Sequence, residues 1–141
     1  MRNDSPLIAV IDDEEPVRKA LGRLLVSAGL VVRTFSGGKL FLDSLSACLP
    51  DCAVLDLHMP DMTGFEVLAD LARTGSRVPV VIITGHDSPD AEDSARRGGA
   101  AAYLQKPVND RVLLDAIAAA VFDAHPITSL PETNNKTETT T

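Results

Sequence analysis

Short apolar runs alternate along this chain with segments in which apolar residues recur at helical spacing. Runs of this length, bounded by polar or glycine-containing segments, are typical of buried strands. The run at 78–84 is also rich in β-branched residues, which favour strands. The pattern predicts five strands: LIAVI (7–11), LVVRTF (30–35), CAVLDL (52–57), VPVVIIT (78–84) and AAYL (101–104).

The segments between these runs carry the signals of helices. Pro16 suits the first turn of the first helix, and Gly29 suits its end. We expect Ser36 to cap a short second helix, a third helix to follow Gly64 and a fourth to occupy residues 88–97. The apolar positions predicted to face the core are Val17, Ala20, Leu21, Leu24, Leu25 and Ala28 in the first helix, Leu40, Phe41 and Leu45 in the second, Leu68, Leu71 and Ala72 in the third, and Val112, Leu113, Ala116, Ile117, Ala120 and Val121 in the last.

Five strand–helix units in succession indicate an α/β fold. Continuously apolar strands need cover on both faces, which a parallel sheet with helices on each side provides. Because crossovers are right-handed, few topologies remain, and we predict a doubly wound, flavodoxin-like parallel sheet with strand order 2-1-3-4-5. We assign residues 5–123 to this domain and expect the polar, Thr-rich residues 124–141 to form a flexible tail or a truncated linker.

Composition narrows the class of protein. The 141 residues are 45% hydrophobic and 23% charged, as in ordinary soluble domains, and the net charge is −7. An acidic chain without a basic run is poorly suited to contact nucleic-acid phosphates, so we expect no direct nucleic-acid binding. No apolar stretch is long enough to span a membrane, and we expect a cytoplasmic protein. The two cysteines, Cys48 and Cys52, are expected to be buried reduced thiols.

Polar residues follow four of the predicted strands. Asp12 and Asp13 follow the first, Asp56 ends the third, Thr84 ends the fourth and Lys106 follows the fifth. Taken singly, each has an ordinary explanation as a solvated helix start, a strand end or a surface lysine. The carboxyl ends of parallel strands, however, meet at one edge of the sheet, where ligands of open α/β folds bind. We therefore expect these side chains to form one site.

The chemistry of these groups is consistent with phosphoryl transfer. Clustered carboxylates favour a cation, and Mg²⁺ binds oxygen ligands, typically one or two carboxylates together with a phosphate. Lys106 and Thr84 would stabilise the oxygens of a phosphoryl group in transfer. Asp56 would be the nucleophile and would become an aspartyl phosphate.

Two other α/β classes fit less well. A phosphatase of the haloacid dehalogenase type needs a second Asp two residues after the nucleophile, where this chain has His58. A flavodoxin binds the FMN phosphate after its first strand, where Asp12 and Asp13 would repel it.

The segments IDDEE, VLDLHMPDMTG, IITGH and AAYLQKP occur in the order found in response-regulator receiver domains of two-component systems. The chain resembles that family over residues 6–123, and LDLHMPDMTGFEVL and ITGH lean towards its FixJ-like branch. The resemblance implies that Asp56 accepts a phosphoryl group from a sensor histidine kinase or a histidine phosphotransfer protein. It also implies contacts of Thr84 and Lys106 with the phosphoryl group. The implied Mg²⁺ ligands are Asp12, Asp13, Asp56 and the backbone carbonyl of His58.

Further roles come from the same resemblance. Tyr103 matches the aromatic residue that switches together with Thr84, and Lys106–Pro107 matches a cis peptide bond of the family. His58 and His86 match positions that tune how fast the phosphoryl group is lost; the alternative is that both are surface histidines without a kinetic role. The segment 88–97 carries only Ala91 and Ala95 as apolar residues, so we expect a weakly docked, mobile helix or simply a solvated face.

The output of such a domain stays open at this point. We expect a downstream protein partner or a homodimer, formed through the face of the fourth helix, Tyr103 and the last helix. We expect no enzymatic activity beyond self-catalysed phosphotransfer and dephosphorylation. The alternatives are a phosphorylation-independent binding module and the receiver part of a longer DNA-binding transcriptional regulator.

Overall fold

The computed structural model describes residues 5–86 and 88–124, and in these ranges five strands alternate with five helices. All neighbouring strands run parallel, in the order β2-β1-β3-β4-β5. This confirms the predicted flavodoxin-like sheet. The strands are β1 (Leu7–Ile11), β2 (Val31–Phe35), β3 (Cys52–Asp56), β4 (Val80–Thr84) and β5 (Ala102–Gln105).

Helices cover both faces of the sheet and divide the core into two layers. Leu25, Leu113 and Ile117 pack on one face, whereas Phe41, Val67 and Leu71 belong to the layer on the other. The first layer comes from the first and last helices, and the second from the three helices between them. The helices are α1 (Glu15–Ser27), α2 (Gly38–Ser44), α3 (Gly64–Arg73), α4 (Pro89–Arg97) and α5 (Asp110–Ala124).

The middle of the sheet explains the continuous apolar runs. Every residue of β3 is buried, with Ala53 and Leu55 in one layer and Cys52 and Val54 in the other, as the alternation of strand side chains requires. β2 is an edge strand and is mostly exposed. The central strand β3, buried along its whole length, therefore carries Asp56 to the carboxyl edge of the sheet.

The ends of α1 and the start of α3 are set by residues whose local conformation or side-chain hydrogen bonds favour a helix end. Pro16 lies in the first turn of α1, and Gly29 follows the helix with a φ of 89°, a conformation that glycine adopts without strain. Thr63 caps α3 in a capping box, in which its hydroxyl accepts from the Glu66 N–H and the Glu66 carboxylate accepts from the Thr63 N–H.

Two local predictions are wrong. Gly37, not Ser36, is the N-cap of α2, and no side chain caps this helix, because α2 begins one residue too late for Ser36 to reach its free N–H groups. Cys52 is buried in β3, but Cys48 is exposed because it lies in the connection between α2 and β3. Both thiols are free.

Several of the apolar helix positions predicted to face the core are not buried in the structure. In α1 only Leu25 is fully buried, and Ala20 and Ala28 are exposed. Val112 in α5 and Leu40 in α2 are also exposed, at 48% and 57%. Among the described residues, no helix is long and apolar enough to cross a membrane. The predicted tail, apart from Ala124, lies outside the described residues.

Candidate functional site

The carboxyl ends of the strands bring the predicted groups together at one edge of the sheet. Asp12, Asp56 and Thr84 are buried there, and Asp13 is exposed beside them. Lys106 reaches into this group from the end of β5. This proximity follows from the parallel topology, which places the four strand ends that carry these residues side by side.

Three carboxylates form the acidic part of the site. Asp12, Asp13 and Asp56 each offer an oxygen, and these oxygens all lie within 4.8 Å of one another. Asp12 is 0% exposed and Asp56 is 4% exposed. Buried charges so close together need a cation, and a set of carboxylate oxygens fits a hard divalent ion such as Mg²⁺.

Lys106 supplies a positive charge from within the chain. Its Nζ donates to Asp12 Oδ2 at 3.0 Å and lies 3.7 Å from Asp56 Oδ1. Burial alone lowers the pKa of Lys106, but the hydrogen bond to Asp12 and the charges of Asp12, Asp56 and Glu14 outweigh it and raise the pKa overall. Lys106 is therefore held in its charged form.

The pKa of Asp56 is raised by its surroundings. Burial raises its pKa from 3.8 to about 6, and the charge of Asp12 adds to this, against the opposing charge of Lys106 and the N–H of His58. The His58 N–H donates to Asp56 Oδ1 at 3.3 Å. The surroundings of Asp56 therefore disfavour its ionised form, as in a carboxylate that a bound cation would stabilise.

Backbone contacts fix the turn after β1. The Asp12 N–H donates to the Phe35 carbonyl at 3.1 Å, and Asp12 Oδ1 accepts from the Glu14 N–H at 2.9 Å. The half-buried Arg18 reaches back from α1, and its Nη1 donates to the Asp12 carbonyl at 2.8 Å. Nothing in the sequence shows that a side chain of α1 turns back to this carbonyl, so Arg18 was not among the predicted site residues.

Gly64 supports the segment that carries Asp56. A Cβ atom at Gly64 would lie 2.8 Å from the Asp56 carbonyl oxygen and 2.8 Å from Leu57 Cα, closer than real Cβ atoms come. The Gly64 N–H also donates to the Leu57 carbonyl at 2.9 Å. The start of α3 therefore packs directly on the backbone of Asp56 and Leu57. This close contact, and not the position at the start of a helix, is the reason why residue 64 is a glycine.

Thr84 and His86 are joined in a tight turn. Thr84 Oγ1 accepts from the His86 N–H at 3.1 Å and donates to the His86 carbonyl at 3.2 Å. The ring of His86 meets that of His58 edge to face, with centroids 5.2 Å apart and an interplanar angle of 81°. Both histidines are exposed, so the two imidazoles lie together on the outside of loops whose backbones bond Asp56 and Thr84.

Tyr103 is not part of the cluster at the sheet edge. Its side chain lies in the middle of β5 and is buried in the core layer that includes Ala95 of α4. The Lys106–Pro107 peptide bond is cis. Of α4 only Ala95 is buried, and its Arg96 and Arg97 pair with Glu92 and Asp93 of the same helix.

A doubly wound parallel sheet with an acidic pocket, a hydroxyl and a lysine at its carboxyl edge defines the class of receiver-like signalling domains. Residues 8–118 match the family described as the Response regulator receiver domain. The chain therefore belongs to this family.

Similar proteins with curated descriptions are response regulators. The chain is 34% identical to the response regulator protein TodT of Pseudomonas putida over 121 residues, which is 86% of this chain and 53% of TodT. It is 35% identical to the transcriptional regulatory protein FixJ of Rhizobium meliloti over 113 residues, covering 80% of this chain and 55% of FixJ. The chain thus spans about half the length of the curated relatives it matches.

Solved structures agree with the family. A crystal structure of FixJ-N superposes with a TM-score of 0.78 at 34% identity and covers 86% of this chain and 95% of its own. A response regulator receiver protein from Burkholderia phymatum gives a TM-score of 0.74 at 42% identity, with 83% and 95% coverage.

Proposed function

We propose that this domain accepts a phosphoryl group on Asp56 from a phosphohistidine and that the resulting aspartyl phosphate changes the binding properties of its surface. The observation that carries the proposal is the convergence of three carboxylates, Thr84 and Lys106 from four strand ends. The donor would be a sensor histidine kinase or a histidine phosphotransfer protein, as membership of the family suggests.

Asp12, Asp13, Asp56 and the backbone carbonyl of His58 would hold Mg²⁺. The carboxylate oxygens within 4.8 Å of one another fit an ion that prefers oxygen ligands. When bound, Mg²⁺ neutralises negative charge on the carboxylates and on the incoming phosphoryl oxygens. Lys106 would contribute a second positive charge to the same oxygens.

Phosphoryl transfer would proceed by attack of a carboxylate oxygen of Asp56 on the phosphorus of the phosphohistidine. The P–N bond breaks as the P–O bond forms, and the electron pair of the P–N bond stays on the imidazole nitrogen of the donor. With a pKa of about 6, Asp56 is largely ionised at neutral pH and needs no separate base. Hydrolysis of the acyl phosphate by water would end the signal.

Thr84 would couple the pocket to the rest of the surface. Its hydroxyl now donates to the His86 carbonyl, and it would exchange this bond for a phosphoryl oxygen. The loop that precedes α4 would then lose one of its anchors. Tyr103 packs beside Ala95, and α4 buries little else, so this face can rearrange at low cost.

His58 and His86 are proposed to influence the lifetime of the aspartyl phosphate. Both side chains lie outside the pocket on residues whose backbones contact Asp56 and Thr84. Replacement of either by alanine should change the rate at which phosphorylated protein loses its label. An unchanged rate in both variants would show that the two residues have no kinetic role.

The proposed output is a protein contact. The face of α4, Tyr103 and α5 would bind a downstream partner or a second copy of the chain when Asp56 is phosphorylated. Since the curated relatives are about twice as long and include transcriptional regulators, the domain can also serve as the receiver of a longer DNA-binding protein. We also propose that the domain comprises residues 5–123 and that it lies in the cytoplasm.

The test is phosphorylation by acetyl phosphate with and without Mg²⁺, followed by intact mass. Wild type should gain one phosphoryl group only when Mg²⁺ is present, and Asp56→Asn should gain none. Asp43→Asn, which changes an exposed carboxylate of α2, is the matched control and should be phosphorylated like wild type. Failure of wild type to gain the group would favour a phosphorylation-independent binding module.

A further inference from the structure

The two exposed histidines beside the pocket form a pair. His58 follows β3 and His86 follows β4, so the pair joins two loops of neighbouring strands. Their ring centroids are 5.2 Å apart and their planes are inclined by 81°. Both residues are exposed, and each lies two positions after a residue of the pocket, His58 after Asp56 and His86 after Thr84.

We propose that His58 and His86 form a two-imidazole binding site for a borderline divalent cation such as Zn²⁺, separate from the carboxylate site. Neutral imidazole is a favoured ligand of Zn²⁺, Ni²⁺ and Cu²⁺, whereas Mg²⁺ prefers oxygen. The proposal goes beyond phosphorylation and does not depend on it.

The spacing of the rings agrees with such a site. With Zn–N bonds of about 2.0–2.1 Å, a tetrahedral ion bound by one nitrogen of each ring lies about 3.2 Å from each centroid and separates the centroids by about 5.2 Å. The observed separation is 5.2 Å. The centroid separation thus already equals that of two imidazoles that share one ion, with water completing the coordination.

The loops are held in place independently of the rings. The His58 N–H donates to Asp56 Oδ1, and both the N–H and the carbonyl of His86 bond the Thr84 hydroxyl. These bonds fix the backbones from which the imidazoles project. The negative charge of Asp12, Asp13 and Asp56 close by also favours a cation.

The competing explanation is an aromatic contact without a ligand. Aromatic pairs commonly adopt an edge-to-face arrangement with centroids about 4.5–7 Å apart. The ring geometry by itself therefore does not distinguish a metal site from a simple aromatic contact. A direct binding measurement separates the two explanations, because the contact by itself predicts no specific affinity for Zn²⁺.

The experiment is calorimetric titration of the full, untagged chain with Zn²⁺, in saturating Mg²⁺ and at about pH 7.5, where free imidazole is largely neutral. All proteins carry Cys48→Ser, which removes the exposed thiol as a competing ligand. Saturating Mg²⁺ keeps the carboxylate site occupied. The variants are His58→Asn, His86→Asn and the matched control His125→Asn, which changes the remaining histidine of the sequence.

We expect one Zn²⁺ to bind per chain. His58→Asn and His86→Asn should each bind Zn²⁺ at least about tenfold more weakly, because even the loss of a residue that hydrogen-bonds a metal ligand lowers metal affinity roughly 10–100-fold. His125→Asn should bind like the parent. Zn²⁺ should also raise the unfolding temperature of the parent but not of the double variant His58→Asn/His86→Asn, because only the folded chain brings the two imidazoles together.

Equal unfolding temperatures of all variants without Zn²⁺ would establish that the substitutions leave the fold intact. The proposal is overturned if the parent does not bind Zn²⁺, or if His58→Asn and His86→Asn bind it as tightly as the parent. Binding that disappears only in Asp13→Asn would assign the ion to the carboxylates and would also overturn it.

Discussion

Lys106 Nζ lies 3.0 Å from Asp12 Oδ2, although the two residues are 94 positions apart in the chain. The same ammonium group is 3.7 Å from Asp56 Oδ1. Lys106 is thus an internal counterion of two buried carboxylates. Because a divalent cation bound to the carboxylate cluster would use oxygens of the same residues, we expect the lysine and such a cation to compete for Asp12 but to act together on an incoming phosphoryl group.

Lys106→Met should therefore have opposite effects on metal binding and on phosphorylation. Removal of the positive charge leaves the carboxylates more negative, so Mg²⁺ should bind more tightly in calorimetric titration. Phosphorylation by acetyl phosphate should become slower, since one of the two positive charges on the phosphoryl oxygens is lost.

Lys19→Met is the matched control, because Lys19 forms an ion pair with Glu15 in which both side chains are exposed to solvent, and it should affect neither property. Weaker Mg²⁺ binding by Lys106→Met than by wild type would contradict the role of Lys106 as a competing counterion.

The raised pKa of Asp56 predicts a pH dependence of stability without Mg²⁺. An acid whose pKa rises from 3.8 to about 6 on folding stabilises the fold below pH 4 and loses this contribution as the pH rises through about 6. The Asp56→Asn variant has no buried carboxylate to ionise. At pH 7 the variant should therefore be more stable than wild type by on the order of 1–3 kcal/mol. Near pH 4 the difference should vanish.

Urea unfolding in a chelating buffer at both pH values measures this difference. Addition of Mg²⁺ at pH 7 should stabilise wild type but hardly affect Asp56→Asn. A constant difference between the two proteins at both pH values would show that burial of the ionised carboxylate is not its cause.

Gly64→Ala should damage both the fold and the site. The new Cβ would lie 2.8 Å from two backbone atoms, the Asp56 oxygen and Leu57 Cα, which cannot move as a side chain does. We expect a loss of about 1–3 kcal/mol in the free energy of unfolding, together with slower phosphorylation.

Gly22→Ala on α1 is the control, because nothing lies within 4 Å of a Cβ there, and it should stabilise by about 0.5–1 kcal/mol. Equal effects of the two substitutions on urea unfolding would refute the close packing of α3 on the Asp56 segment.

Arg18→Met should weaken Mg²⁺ binding without unfolding the protein. It removes the 2.8 Å hydrogen bond to the Asp12 carbonyl and so loosens the turn that carries two of the carboxylates. If the roughly 1 kcal/mol contributed by this hydrogen bond is lost entirely from the free energy of Mg²⁺ binding, the affinity should fall roughly fivefold. Arg23→Met, at an exposed position of the same helix, should bind Mg²⁺ like wild type. Equal affinities of the two variants would remove Arg18 from the site.

α4 should be the least protected of the helices that flank β5. It buries only Ala95, whereas α5 buries Leu113, Ile117 and Ala120. Amide hydrogens of α4 should therefore exchange faster than those of α5 in the unphosphorylated chain. Comparable protection of both helices in hydrogen-exchange mass spectrometry would argue against a mobile switching face.

The strands and helices that are determined by neighbouring residues were predicted well from local sequence patterns. The continuous apolar runs predicted β3 and β4. The Thr63-x-x-Glu66 spacing is also a local signal, since it forms the capping box at the start of α3. Predictions that depended on helix boundaries were less good. Ser36 was expected to cap α2 and does not, because a one-residue shift of the helix start puts it out of reach.

The sequence by itself determined the order of strands and helices and the position of each polar residue at a strand end. Since the carboxyl ends of parallel strands lie at one edge, this was enough to predict that Asp12, Asp56, Thr84 and Lys106 meet. Only the tertiary structure decided which of them touch. The Lys106–Asp12 bond and the Arg18 contact join residues whose distances depend on side-chain packing and loop conformation, and no local pattern in a sequence encodes these.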